Sequence, residues 1–545
     1  AAVLSAFDRR GTAADGAPAI ILASANLLTI TLCAKQRTMK GAYGIVGTLA
    51  RAREKVRGFA ILLPMKTTAL AAALLLFSGG LRAAGIKDEI SRIAGSPGVK
   101  NASWGLSVKD AATGKIVAER NPRLNLVPAS ILKVFVTAAA LDRLGPEKTF
   151  PTRLYHDGTI VNGFLNGNLY IKGAGDASLG SQLVKGAEPL EEVFRVWAAA
   201  IRAKGINVIN GAVVGDDSAF ESVQPGSWAW EDIGNYYAAQ PSALTVNDGL
   251  YKLYFKPSGK EGGEAAVLRT EPYIDGLKFE NHMKTGPAGS GDNGYIFAFP
   301  GQYQAVLRGS IPQGSAEFAI KGALPDPAFF AAQSFGYYLT KAGINSNKKP
   351  YKGPLPPGPG AVLLAETASA PLKNVVRVTN KRSFNLYAEL LLRQLGQQRG
   401  AGTAEAGLSA IKAYLAENGM DTAELDFVDA CGLSTRDTAK AENFTDMLRA
   451  VHKKKYYHDF YDSLVYPGDP DATGHVRNLG KGTPLEKNLR IKSGSLNGVR
   501  SYTGYLKTKK GRTLVFTSIL NGYSAAPASI DSMHGQLLLE LYNGN

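Results

Sequence analysis

Residues 128–144 read Pro-Ala-Ser-Ile-Leu-Lys-Val-Phe-Val-Thr-Ala-Ala-Ala-Leu-Asp-Arg-Leu. Ile131, Val134, Phe135, Ala138 and Leu141 recur at helical spacing and Gly145-Pro146 supplies a stop, so the stretch predicts a helix from Pro128 to about Leu144. Ser130 and Lys133 stand three residues apart on one face of it. Ser130 falls in the first turn, where free N–H groups and the positive end of the helix dipole favour developing negative charge. Lys133 lies among Leu132, Val134 and Phe135, and desolvation there lowers an amine's pKa so that its neutral form can take a serine proton. The spacing alone is cheap: Ser346-Asn347-Lys348-Lys349 repeats it in a polar segment beside Pro350, with no helix to order it.

Upstream, residues 86–96 predict a short helix, and Ala102–Val108 and Lys115–Glu119 flank turn residues as a β-hairpin with Trp104, Leu106 and Val108 on one face. Downstream, residues 150–360 are rich in Gly and in short alternating strands, and Lys348–Gly360 carries five prolines that read as a boundary. Helical periodicity returns at about 383–398, 404–418 and 441–453. Strands follow at about 488–495, 499–508 and 512–521, then a helix over 527–542. Strands at both ends with helices between predict one α+β domain, an antiparallel sheet flanked by helices, built from 85–150 and 361–545. Residues 151–360 would be a β-rich insertion into it.

Two further clusters carry chemistry. Ser383-Phe384-Asn385 enters an amphipathic segment after Asn380-Lys381-Arg382. A serine hydroxyl can relay a proton to a leaving amine and an asparagine amide can bind a peptide carbonyl, although a serine there also suits a helix N-cap. Ser24-Ala25-Asn26 and Ser495-Leu496-Asn497 share its spacing. Lys492-Ser493-Gly494-Ser495 lies on a predicted strand, where a lysine beside hydroxyls and a side-chain-free glycine makes an anion site that a flat ligand backbone can approach. Lys284-Thr285-Gly286 precedes Pro287 and a glycine-rich loop, is expected off any paired strand, and is set aside as a decoy.

Ser-x-x-Lys, Ser-x-Asn and Lys-Thr/Ser-Gly in this order resemble the signature of penicillin-binding proteins and serine β-lactamases. About 250 residues separate Ser130 from Ser383 and about 110 separate Ser383 from Lys492, which resembles the large insertion of the peptidase S13 group related to penicillin-binding protein 4. Gly173-Ala174-Gly175-Asp176 and Trp228-Ala229-Trp230-Glu231-Asp232 are similar to further segments of that group. The resemblance implies a β-lactamase/transpeptidase-like fold and a serine-type D-Ala-D-Ala carboxypeptidase, with endopeptidase action on D-Ala cross-links as a second activity. It implies a peptidoglycan stem peptide as substrate and β-lactams as covalent inhibitors. Ser130, Lys133, Ser383, Asn385 and Lys492 would be catalytic, and Ser493, Gly494 and Ser495 would bind substrate. Arg500, just past the Asn497-Gly498 turn, is weighed as a second cation for the substrate carboxylate. Asp429-Ala430-Cys431-Gly432 departs from the group by placing a cysteine where serine is usual. The alternatives are a serine β-lactamase, against which the long insertion argues, and a catalytically idle wall-binding scaffold, against which three intact motifs argue.

From Met65 the chain has a basic start, an apolar run from Ala69 to Phe77 and then small residues, the layout of a secretory signal peptide over 65–84; residues 1–64 would precede the true start. An exported protein of a bacterial cell envelope or periplasm is the expectation. The net charge of +16 places about +6 in that leader, and with no basic run interleaved with aromatics nucleic acid is not expected as a partner. The two cysteines are Cys33 and Cys431, and export would remove the first. The histidines lack ligand spacing, so no metal is expected, and no cofactor motif appears. Trp228, Trp230, Tyr236 and Tyr237 are read as core packing in preference to a sugar grip. Peripheral membrane contact and oligomeric state stay open.

Overall fold

A computed structural model describes residues 85–358 and 360–545. The expected leader, the signal peptide, Cys33 and Ser24-Ala25-Asn26 lie outside the described residues.

The alternation in the chain ends resolves into one five-stranded antiparallel sheet. Its order is Leu489–Leu496, Val499–Lys507, Thr513–Asn521, Ser103–Asp110 and Ile116–Arg120, so the first strands of the described chain pair with the last. Along Thr513–Asn521 the period of two sorts residues between two cores. Leu514, Phe516 and Leu520 join Trp104, Leu106 and Val108 against the helices Ile86–Gly95 and Pro527–Gly544. Val515 and Ile519 face a helical layer that includes Lys133–Leu144, Asn385–Gln397 and Ala441–Val451. Covered on both faces, the inner strands are buried almost throughout, with Arg500, Ser501 and Thr503 among the few polar groups.

Local chemistry explains three departures from expectation. The helix expected from Pro128 begins as a 3-10 turn over Ala129–Leu132 and becomes α-helical at Lys133. Ala129 has φ +51, a left-handed conformation that an α-helix cannot contain. The helix Leu372–Lys381 was not expected, because Val375, Val376, Val378 and Thr379 are β-branched and weak helix formers; all four are buried, and packing overrides propensity. Ser383 sits at φ +54 in the sharp break between that helix and Asn385–Gln397, whose N-cap is Phe384, so Ser383 is not a cap.

The residues between 151 and 360 have their own core, with Leu154, Ile171, Trp197, Ile201, Leu253, Phe255 and Phe335 in it, under several small sheets and the helices Leu190–Ala203 and Pro327–Lys341. Asp326 caps the second helix by accepting from Phe329 N (3.1 Å), with Pro327 at the first position. We propose that this region is a module inserted into the catalytic domain. The strand Val362–Ala368, just past the expected boundary, pairs with Pro151–His156 and continues the module's sheet. Ala177, Val184, Phe220, Trp228, Ala238 and Ala243 run the other way, into the catalytic core. The two parts therefore share packing at the place where the candidate site lies. Lys284–Gly286, expected off any paired strand, is a short strand parallel to Ser310–Pro312, and Thr285 Oγ1 accepts from Ser258 N at 2.8 Å. Ser346 Oγ is spent on the carbonyls of Gly211 and Lys348. Among the described residues no helix is long and apolar enough to cross a membrane.

Candidate active site

The half-buried Ser130 is presented by close backbone contacts. Gly432 lies against the Ala129 carbonyl so closely that any Cβ would overlap it. A Cβ on Gly494 would fall 2.7 Å from the Pro128 carbonyl oxygen and 2.9 Å from Ser130 N. Ser501 Oγ donates to that Pro128 carbonyl at 2.5 Å. The left-handed Ala129 is thus clamped between two glycines from distant parts of the chain, which is how a strained turn persists.

Lys133 is fully buried, and its Nζ donates to Ser130 Oγ (3.0 Å), Asn385 Oδ1 (2.6 Å) and the Cys431 carbonyl (2.5 Å). Two of these partners can only accept. When the amine is neutral, the only partner able to donate to its lone pair is the Ser130 hydroxyl. Burial drives the Lys133 pKa below its usual value, while Cys431, Asp429, Glu389 and Asp437 act in the opposite direction.

Asn385 opens its helix, accepting from Lys133 while its Nδ2 donates to the Tyr237 carbonyl at 2.7 Å. One turn on, the fully buried Glu389 accepts from the backbone N–H groups of Ala430 (2.8 Å) and Cys431 (3.1 Å) and from Arg393 (3.2 Å). Burial and Asp429 push its carboxyl up, and Arg393 opposes them. Asp429 accepts from Gly432 N (2.6 Å), Ser434 N (2.9 Å) and Trp228 Nε1 (2.8 Å). Together these carboxylates fold the 429–434 loop and aim the Cys431 carbonyl at Lys133. Ligand atoms of Glu389, Asp429 and Cys431 lie within 4.8 Å of one another, but both carboxylates are already engaged by N–H donors.

Lys492 is also buried, and its Nζ donates to Ser383 Oγ (2.9 Å) and to the Ser493 carbonyl (2.6 Å). Burial, with the charge of Lys133 behind it, holds its pKa well below the usual value. Its strand is the edge of the sheet. Ile491 exchanges both backbone bonds with Val465 (2.8 and 2.9 Å) on the outer side. By the alternation of an antiparallel ladder, Ser493 and Ser495 turn their backbone groups to that same outer edge. Arg500 lies opposite Ser495 and donates to its Oγ at 2.8 Å, but Asp531 holds the guanidinium at 2.8 and 3.0 Å.

The structure therefore links Ser130 with Lys133 and Asn385, links Ser383 with Lys492, and packs Gly494 against Ser130. It also brings in Glu389 and Ser501, which sequence reasoning passed over, and gives Asp429, Gly432 and Tyr237 contacts at the site that the sequence did not assign to them. Glu389 had a signal, one helical turn after Asn385; the others act through contacts that no spacing reveals. The packing expected for four aromatics holds for Trp228, which is 5% exposed, and fails for Trp230, which is 61% exposed.

Residues 86–538 match the D-Ala-D-Ala carboxypeptidase 3 (S13) family. The chain is 30% identical over 482 residues to the D-alanyl-D-alanine carboxypeptidase of Actinomadura sp. (strain R39), covering 86% of this chain and 87% of that protein. It is 26% identical over 427 residues to D-alanyl-D-alanine carboxypeptidase DacB of Haemophilus influenzae, covering 77% and 85%. The crystal structure of penicillin binding protein 4 (dacB) from Haemophilus influenzae superposes with a TM-score of 0.70 at 23% identity, over 84% of this chain and 99% of that one, which shows a shared fold. The chain belongs to the D-Ala-D-Ala carboxypeptidase 3 (S13) family of serine peptidases.

Proposed function

We propose that the chain removes the terminal D-Ala from peptidoglycan stem peptides through an acyl-enzyme on Ser130. The observation that carries this reading is the Lys133 amine, buried and held by two carbonyl acceptors so that its third direction points at Ser130 Oγ.

Ser130 Oγ attacks the carbonyl carbon of the penultimate D-Ala as Lys133 takes its proton. The N–H groups of Ser130 and Ser495 hold the oxyanion, the second by way of the exposed edge of its strand. The C–N bond then breaks and the departing D-Ala amine receives, through Ser383, the proton that Lys133 took from Ser130, which returns Lys133 to its neutral form while Lys492 orients Ser383. Water cleaves the ester and frees Ser130. The substrate's terminal carboxylate meets Lys492 with Ser493 and Ser495. Asn385 has one side-chain N–H beyond the bond to Tyr237 with which to orient the peptide. Arg500, balanced by Asp531, acts here as a positioning residue for Ser495 and not as a second cation. An envelope location, penicillin as a covalent inhibitor and endopeptidase action on D-Ala cross-links belong to the same reading.

The test is release of D-Ala from a soluble peptide ending in D-Ala-D-Ala. Wild type should release it, and Ser130→Ala and Lys133→Met should not, while both stay folded. Rapid hydrolysis of penicillin without D-Ala release would favour a serine β-lactamase instead.

A further inference from the structure

The mechanism leaves unused a row of aromatic side chains on the surface. Trp230 lies 5.0 Å from Phe297 between ring centres at an interplanar angle of 49°, and Phe297 lies 6.2 Å from Tyr295, which is 41% exposed. Tyr295 and Phe297 alternate along the strand Asn293–Phe297 and share a face, while Ile296 between them is buried on the other. The exposed Arg308 stands opposite Tyr295 in the neighbouring strand, on the same face. Trp230 and Tyr295 are exposed with the half-buried Phe297 between them, and exposed apolar side chains joined in this way beside a charge mark an interaction surface.

This row is tied to the catalytic residues. Its loop is anchored on one side of Trp230 by Trp228, which donates to Asp429, and on the other by the Tyr237 carbonyl, which accepts from Asn385. Between them Asn235 Oδ1 accepts from Ile296 N at 3.1 Å, and Gly234 passes so near the Ile296 carbonyl that a Cβ would overlap it. The strand carrying Tyr295 and Phe297 is thereby stitched to the segment that touches Asn385.

A row of flat apolar faces beside a cation suits an amphipathic ring. A pyranose offers one: its C–H face stacks on an aromatic ring while its hydroxyls reach polar side chains. On the function proposed above, such rings arrive with the substrate, because every stem peptide is covalently joined to a glycan strand. An extended peptide of about five residues spans about 17 Å, so the sugar stays near the cleft while the peptide occupies it. We propose that Trp230, Phe297 and Tyr295 form a stacking platform for the glycan strand whose stem peptide is held at Ser130. This inference rests on the peptidoglycan reading. It adds that the enzyme recognises its substrate at two points, so that strand-borne peptides bind more tightly than free ones through effective concentration.

The test uses Trp230→Ala and Tyr295→Ala, both exposed and outside the catalytic groups. D-Ala release is measured from a free stem peptide and from the same peptide on soluble uncross-linked glycan strands. Binding is measured separately to glycan strands stripped of peptide. Wild type should bind the stripped strands and show the lower KM for strand-borne peptide. The variants should lose that binding and raise the strand-borne KM by about tenfold, with kcat and KM for free peptide unchanged. Trp230→Phe should restore most of the effect. Equal KM ratios in wild type and variants, no binding of stripped strands by wild type, or Trp230-dependent binding to lipid vesicles in their place would overturn the proposal. Absence of D-Ala release from the free peptide by wild type would instead refute the peptidase reading, which separates the two failures.

Discussion

Gly494→Ala tests how closely the sheet must approach the nucleophile. A Cβ there would stand 2.7 Å from the Pro128 carbonyl oxygen and 2.9 Å from Ser130 N, whereas ordinary contact begins at 3.4 Å. The gap must therefore open by about 0.5–0.7 Å. Both atoms are backbone, so no rotamer relieves the clash. Ser501 Oγ also overlaps the new methyl, and turning it away breaks its bond to Pro128. The strand Leu489–Leu496 has to move outward, taking the Ser495 N–H away from the Ser130 N–H. Overpacking of this kind costs about 1–3 kcal/mol of stability. Misplacing a reacting geometry by about 1 Å costs about 10²-fold in rate, so a shift of half to two-thirds of that should slow acylation by about 10–10²-fold. Stopped-flow acylation by a chromogenic β-lactam gives the rate, and thermal unfolding monitors the fold. A folded Gly494→Ala enzyme that acylates within about twofold of wild type would show that the oxyanion pair does not depend on this contact.

Three other outcomes follow from the same geometry. Burial and the neighbouring Asp429 raise the Asp437 pKa, so the folded state keeps that proton where the unfolded chain releases it, near pH 4. Asp437's stabilising contribution is complete below about pH 4 and is lost as pH rises toward the raised value; Asp437→Asn should gain stability over wild type progressively across that window in urea titrations at several pH values. Lys492 is held well below its usual pKa by burial and Lys133, and a substrate carboxylate favours its charged form. Above the free-state pKa, binding of a carboxylate-terminated peptide to Ser130→Ala should take up as much as about one proton in calorimetry across buffers, and a C-terminally amidated peptide should not. The Cys431 thiol is fully buried, and burial, with Asp429 and Glu389, raises its pKa. Iodoacetamide should leave it unmodified in the native protein and label it on unfolding, and Cys431→Ser should acylate within about threefold of wild type.

Much of the site was readable because its parts are local. Ser130 and Lys133 share a turn, Ser383 stands two residues before Asn385, which opens a helix, and Lys492–Ser495 is one strand. The antiparallel sheet could be read from alternation in Trp104, Leu106 and Val108 and in the three closing strands. What escaped was set by contacts across hundreds of residues. The left-handed Ala129 depends on Gly432 and Gly494, and nothing in Pro128-Ala129-Ser130 announces it. The carbonyl that receives Lys133 is aimed by Glu389, and Asp429 is capped by Trp228, about 200 residues away in the chain. Leu372–Lys381 is helical because its β-branched residues are buried, which propensity alone argues against. From the sequence Arg500 is weighed as a second cation for the substrate, and its partner Asp531, which the sequence does not reveal, comes from the last helix.

The account stands most directly on which atom forms the covalent bond. Wild-type protein should be reacted with penicillin, weighed intact and mapped by peptide mass spectrometry. The account predicts one penicilloyl group per chain on Ser130, absent from a folded Ser130→Ala variant. An adduct on another residue such as Ser383, one that persists in Ser130→Ala, or no adduct on the wild type would contradict it.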